Sequence, residues 1–145
     1  MAAENEITIA APPERVFAVL SDPERYVDWV VGTRDTHGVD EEWPAEGAKL
    51  AYEVGAGPAT FRDYTEVVAS EPPHRLVLRA RMRPIGDTEV ELLLERHADG
   101  TLVRMREEQV SGIGAALETP VSDVALAARN AIALRRLRSL VEGSP

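Results

Sequence analysis

The stretch from Thr119 to Glu142, TPVSDVALAARNAIALRRLRSLVE, does most to constrain the fold, because it reads as one long amphipathic helix near the end of the chain. Thr119 can cap its first turn, Pro120 suits the first helical position, Asp123 favours the positive end of the macrodipole, and Gly143 stops it. Arg135, Arg136 and Arg138 sit toward the negative end. Steps of ~100° per residue gather Leu126, Ala133, Leu134, Leu137, Leu140 and Val141 on one face. Asn130 falls in the middle of that face. A buried amide needs a hydrogen-bond partner, so the helix must meet a polar group of the protein, a water or a ligand there.

Upstream, Glu4 to Ala10 reads as a strand with Ile7 and Ile9 on one side, ended by Pro12-Pro13. A helix follows from Pro12 or Pro13 with Val16, Phe17, Val19 and Leu20 inward, and Ser21-Asp22-Pro23 breaks it. A second short helix runs from Pro23 to about Trp29, with Tyr26 and Trp29 as candidate anchors. Six strands come next: Thr33 to Val39, Ala48 to Val54, Thr60 to Ala69, Arg75 to Arg83, Thr88 to His97 and Thr101 to Val110. Asp99-Gly100 is the clearest hairpin turn.

Alternation fixes the facing of the later strands. Leu76, Leu78, Ala80 and Met82 oppose Arg75, Arg79, Arg81 and Arg83. Val90, Leu92 and Leu94 oppose Glu89, Glu91 and Glu95, and Val103 and Met105 oppose Arg104 and Arg106. Arginine, glutamate and arginine rows on consecutive strands predict a salt-bridged, solvated outer face. The same parity carries Glu107 and Gln109 to the inner face. In the fourth strand Arg62 and Glu66 mark the outer row, leaving Phe61, Asp63, Thr65 and Val67 inside, and Tyr52 points inward with Leu50 and Val54. Tyr52, Asp63, Thr65, Glu107 and Gln109 therefore face a helix stripe containing Asn130. A solid core seldom holds so many polar groups.

Composition narrows the chemistry. The 145 residues contain no cysteine, which removes disulfides, thiolate nucleophiles and Cys-ligated zinc. A formal charge of −9 with a single lysine, Lys49, argues against a nucleic-acid partner. The acidic N-terminal residues resemble neither a signal peptide nor a membrane span, so a cytoplasmic protein is expected. The length suits one domain over residues 1–145. His74 and His97 fall in turns and read as exposed, whereas His37 could reach the mouth of a cavity. No histidine pair has ligand spacing and no glycine-rich phosphate loop follows a strand, so neither a metal nor another cofactor is expected.

The opening Ile9-Ala10-Ala11-Pro12-Pro13-Glu14-Arg15-Val16-Phe17-Ala18-Val19-Leu20-Ser21-Asp22-Pro23-Glu24-Arg25-Tyr26, with Trp29 after it, resembles the polyketide cyclase/dehydrase and lipid-transport family of the START-like (SRPBCC) superfamily. Arg129-Asn130 and Leu134-Arg135-Arg136-Leu137 in the closing helix extend the resemblance. It implies an α+β helix-grip fold: a curved seven-stranded antiparallel sheet, two short helices after strand 1, and the long C-terminal helix across the concave face above a ligand cavity. No catalytic residue carries over from the opening motif, because fold does not fix reaction.

Two functions follow as expectations. One is a binding module for a hydrophobic, partly polar small molecule such as an aromatic polyketide, isoprenoid or lipid, with Tyr52, Thr65, Met105, Gln109, Asn130 and Leu134 as ligand-binding candidates. The other is a cyclase or dehydratase in which Glu107 or Asp63 moves a proton while Tyr52 or Asn130 polarises a carbonyl. Against these stand plainer roles: Glu107 paired with Arg129 or Arg34, Asp63 holding a backbone amide, Tyr52 packing with its tip at the sheet edge. Ser111 to Leu117 reads as either a mobile lid or a plain connector. The absence of an activated nucleophile or a His-carboxylate pair favours binding.

Overall fold

A computed structural model describes residues 3–31, 33–56, 58–82, 86–111 and 120–143. Strand β1 (Ala3–Ile9) leads into α1 (Pro13–Leu20), a single 3₁₀ turn (Pro23–Arg25) and α2 (Tyr26–Trp29). Then come β2 (Thr33–Val39), β3 (Lys49–Ala56), β4 (Ala59–Glu71), β5 (Arg75–Met82), β6 (Gly86–His97), β7 (Gly100–Gln109) and the long α3 (Pro120–Glu142). The element bounds lie within two residues of those expected, the usual uncertainty at fraying ends. The Thr119 cap, Arg83 of the outer row and the 112–117 part of the lid-or-connector segment lie outside the described residues.

All strand pairs are antiparallel, in the order β1-β7-β6-β5-β4-β3-β2. The last strand thus closes back on the first, and β1 and β2 form the two edges. Register shifts between Val67 and Ala69 in β4, and twice along β2, place bulges where a strand must bend and twist. Such bends let a sheet of long strands wrap a helix. Together the elements make the helix-grip fold.

The grip is built from the periodicities seen in the sequence. Ala133, Leu134, Leu137 and Val141 of α3 are buried against Leu76, Leu78, Leu92, Leu94, Val103 and Met105 of β5 to β7, and Val16, Phe17 and Leu20 of α1 close the same core. Each fully buried large aliphatic side chain contributes about 1.5–3 kcal/mol. Polar ties fix the helix lengthwise. Asn5 Nδ2 donates to the Ala127 carbonyl at 3.0 Å, Arg15 Nη2 to the Val141 carbonyl at 2.9 Å, and the Ala10 amide to Glu142 Oε2 at 2.8 Å. The arginine satisfies one of the carbonyls that a helix end leaves without an internal partner.

The outer face is ionic as expected, with one difference in partners. Arg75 reaches Glu91 at 2.9 Å and Arg79 reaches Asp87 at 3.0 Å, from β5 to β6. Arg104 and Arg106 instead turn to Glu6 and Glu4 of β1, at 3.5 and 3.6 Å. A residue in a sheet interior has two lateral neighbours, and parity alone does not choose between them.

Candidate functional site

Between α2, α3 and the inner face of the sheet lies a mostly apolar pocket of about 80 Å³. One wall is α2 and the chain after it: Tyr26, Trp29, Val30, Val31 and Thr33. A second is the sheet, with Tyr52 from β3, Leu78 and Ala80 from β5, Thr88 and Val90 from β6, and Met105 and Glu107 from β7. The third is α3, through Arg129, Asn130 and Ala133. Four of the sequence-derived candidates, Tyr52, Met105, Glu107 and Asn130, thus share one pocket.

Glu107, one of two charged residues in its lining, is only 2 % exposed. Arg129 Nη2 donates to both its carboxylate oxygens at 2.9 Å, and Thr88 Oγ1 donates to Oε2 at 2.9 Å. Of the two arginines considered as partners, Arg129 is the one bonded; Arg34 Nη1 donates to Thr60 Oγ1 instead. Three donated hydrogen bonds hold this carboxylate as an ion pair in low dielectric, where an isolated charge would be costly.

The aromatic wall is bonded through its hydroxyls. Tyr26 Oη and Thr65 Oγ1 lie 2.9 Å apart, and Tyr52 Oη donates to the Arg81 carbonyl at 2.6 Å. Tyr26 packs edge-on against Trp29 at 6.1 Å between centroids and tilted against Tyr52 at 5.9 Å. Burial, partly offset by the Thr65 hydrogen bond, pushes the Tyr26 phenol up to about 12. Tyr52 is raised too, by burial first and then by the neighbouring Tyr26, Asp63 and Asp87.

Asp63, Thr65, Gln109 and Leu134 are inward as strand and helix parity require, yet none lines this pocket. Asp63 is buried and accepts the Tyr64 amide at 3.0 Å. Thr65 is occupied by Tyr26. Leu134 belongs to the solid core, and Gln109 sits at the end of β7 with its Oε1 buried and without a partner among the described residues. His37 does not face the pocket, contrary to expectation: its Nε2 is 2.8 Å from Glu53 Oε1, in the outer row that Glu53 shares with Arg62. That contact, ahead of the Arg62 hydrogen bond, lowers the Glu53 carboxyl below its ordinary range. His74 and His97 are exposed.

Sequence reasoning missed the contribution of Val30, Val31, Thr33 and Thr88. Of two donors without a partner among the described residues, it flagged the Asn130 amide and missed the Trp29 indole. The Trp29 indole Nε1 and the Asn130 Nδ2 are both buried, and neither has a hydrogen-bond partner among the described residues. Both side chains are 2 % exposed and both line the pocket. The signal for Asn130 was its place on an apolar helix face; Trp29 was expected only as an anchor, and nothing local marked its N–H as lacking a partner.

A sheet wrapped around a helix, with a largely apolar pocket between them, defines a helix-grip protein. The model of the family described as polyketide cyclase/dehydrase and lipid transport matches residues 2–142, and this chain belongs to that family. No curated protein sequence matches it significantly. Solved structures with the same fold include a protein of Chromobacterium violaceum, 21 % identical over 98 % of both chains with a TM-score of 0.71. Ara h 8.0201 is 13 % identical over 99 % of both chains, TM-score 0.77. DynU16, a protein of the dynemicin biosynthetic locus, is 22 % identical over 99 % of this chain and 48 % of its own, TM-score 0.70. At these identities the likeness is one of fold. Among the described residues no cluster of three or more histidines and acids is placed to hold a metal, and no helix is long and apolar enough to cross a membrane.

Proposed function

We propose that the chain, read as one domain, binds a hydrophobic small molecule of polyketide, isoprenoid or other lipid type in the pocket between α2, α3 and the sheet. The observation that carries this reading is a pair of buried donors without partners among the described residues, on Trp29 and Asn130, two residues that line a pocket otherwise largely apolar. Ligand sites have this composition: apolar walls and a few polar groups that fix orientation. Membership of a family described by polyketide cyclisation and lipid transport supports the same class of ligand. The origin of DynU16 in a biosynthetic locus is consistent with it.

The pocket is small for such a ligand. At about 80 Å³ it lies well below the ~300–1,000 Å³ of typical ligand sites and below the ~150 Å³ cavity known to admit benzene, so a ligand enters only as α2 and α3 spread from the sheet. Roles for Asp63, Thr65, Gln109 and Leu134 then depend on how far that widening extends.

An acid–base enzyme is the second reading, favoured by Glu107 in the pocket wall. Both its oxygens already accept hydrogen bonds, which supports an orienting ion pair over a proton carrier.

The two tryptophans provide the test. Trp43 donates its indole N–H to the Ser21 carbonyl at 2.7 Å and is not among the residues that line the pocket. Titration with one-ring and two-ring aromatic compounds should shift the Trp29 indole N–H resonance and leave that of Trp43 in place. A saturable shift of Trp43 alone, or of neither, rejects the pocket as the binding site.

A further inference from the structure

The pocket also constrains the charge and the polarity of what it holds. Four of its lining residues are titratable: Tyr26, Tyr52, Glu107 and Arg129. The tyrosines are neutral at pH 7, since burial raises both. Glu107 and Arg129 cancel each other through the two-oxygen contact. The lining therefore carries no net charge. Asp63 and Asp87 add negative potential at the Tyr52 side, as their effect on that phenol shows. A carboxylate or phosphate entering here would lose its water and meet no uncompensated cation. It would have to take Arg129 from Glu107, leaving that carboxylate buried with Thr88 as its remaining donor among the described residues.

In the pocket lining, the buried polar groups without a partner among the described residues are donors. An indole Nε1 can only donate, and the Asn130 amide group without a partner is its Nδ2. Neither atom is exposed to water from the pocket as it stands, so a ligand oxygen reaches them as the walls part. A carbonyl oxygen has the complementary chemistry: two lone pairs, no charge and no proton of its own to place. Tyr26, Tyr52 and Trp29 provide three aromatic surfaces beside it.

We infer that the ligand is an uncharged aromatic or unsaturated carbonyl compound, a ketone or quinone rather than a fatty acid or phosphate ester, and that Trp29 and Asn130 select it by donating to its carbonyl oxygen. This rests on the reading of the pocket as the binding site. It goes further by separating neutral carbonyl ligands from the anionic lipids that the family description also admits.

The test uses three one-ring probes of similar size on the full chain: acetophenone, ethylbenzene and benzoate, with affinities from the Trp29 indole resonance. Acetophenone should bind about tenfold or more tightly than ethylbenzene, because the apolar probe leaves buried donors unpaired, and more tightly than benzoate. In Asn130→Leu, read by the same resonance, and in Trp29→Phe, read by the ligand-induced rise in melting temperature, the preference over ethylbenzene should shrink. Glu107→Gln, which frees Arg129, should raise the affinity for benzoate relative to that for acetophenone. Comparison of the probes on the native protein needs no variant to fold. Equal binding of acetophenone and ethylbenzene, or tighter binding of benzoate, overturns the inference while leaving the pocket as a ligand site. Binding of none of the three overturns both.

Discussion

Arg129 on α3 and Glu107 on β7 are joined by one guanidinium nitrogen lying 2.9 Å from both carboxylate oxygens, and the two ends of this pair are unequally buried. The Glu107 side chain is 2 % exposed, that of Arg129 34 %. Removing the arginine strands a buried carboxylate, whereas removing the charge on Glu107 leaves an arginine that can turn to water. Arg129→Leu should therefore cost about 3 kcal/mol, and Glu107→Gln distinctly less. The double variant Arg129→Leu/Glu107→Leu should be more stable than Arg129→Leu alone. Urea denaturation of the three proteins measures this, and equal losses from the two single variants would show that the pair contributes symmetrically.

Along α3, depth in the grip should govern sensitivity. Leu137 is fully buried in the core and Ile132 is 38 % exposed on the opposite side of the helix. Leu137→Ala should destabilise by about 2–5 kcal/mol and Ile132→Ala by no more than about 0.5 kcal/mol. Similar melting temperatures for the two variants would contradict the packing of α3 described above.

Gly100 begins β7 where the chain passes β1, and a Cβ there would collide with the backbone carbonyl of Ile9. A carbonyl in a paired strand cannot swing aside as a flexible side chain can. Gly100→Ala should then lower the melting temperature by several degrees, whereas Gly38→Ala, with open space around the added methyl, should change it little. The pair of variants isolates the clash from the general effect of replacing glycine.

These sites differ in how far the sequence revealed them. Period-two alternation in β6 and β7 placed Glu107 inside, and the helical period placed Asn130 there, because both elements are long enough for the phase to be unambiguous. Helix α2 spans four residues, Tyr26–Trp29, too few to show a stripe, so its role as a pocket wall depends on tertiary placement. Parity also says which face a residue takes but not how far along the sheet it lies. Thr65 and Leu134 are inward for the same reasons as Tyr52 and Asn130, yet they pack beside the pocket rather than on it. Nor could spacing choose between Arg129 and Arg34 for Glu107. That depends on where α3 crosses β7.

The last expectation concerns alkaline pH and follows from the buried Tyr26 hydroxyl. Its phenol is raised from about 10 in an unfolded chain to about 12 in the fold, chiefly by burial. Below pH 10 both states keep the proton and the full stability is present. As pH rises from 10 to 12 the unfolded chain loses the proton while the folded one retains it, so the unfolded state binds fewer protons and stability falls. A shift of this size corresponds to a loss on the order of 2–3 kcal/mol across that window. Tyr52, raised in the same direction, adds to the slope. Tyr26→Phe should lose about 1 kcal/mol at pH 7, because it gives up the hydrogen bond with Thr65, yet its stability should decline less steeply between pH 10 and 12. Urea midpoints at pH 8, 10 and 11.5 for the native protein and the variant provide the comparison. Parallel pH profiles would show that Tyr26 ionises as readily in the fold as out of it, and would remove the case for a dry aromatic wall beside the pocket.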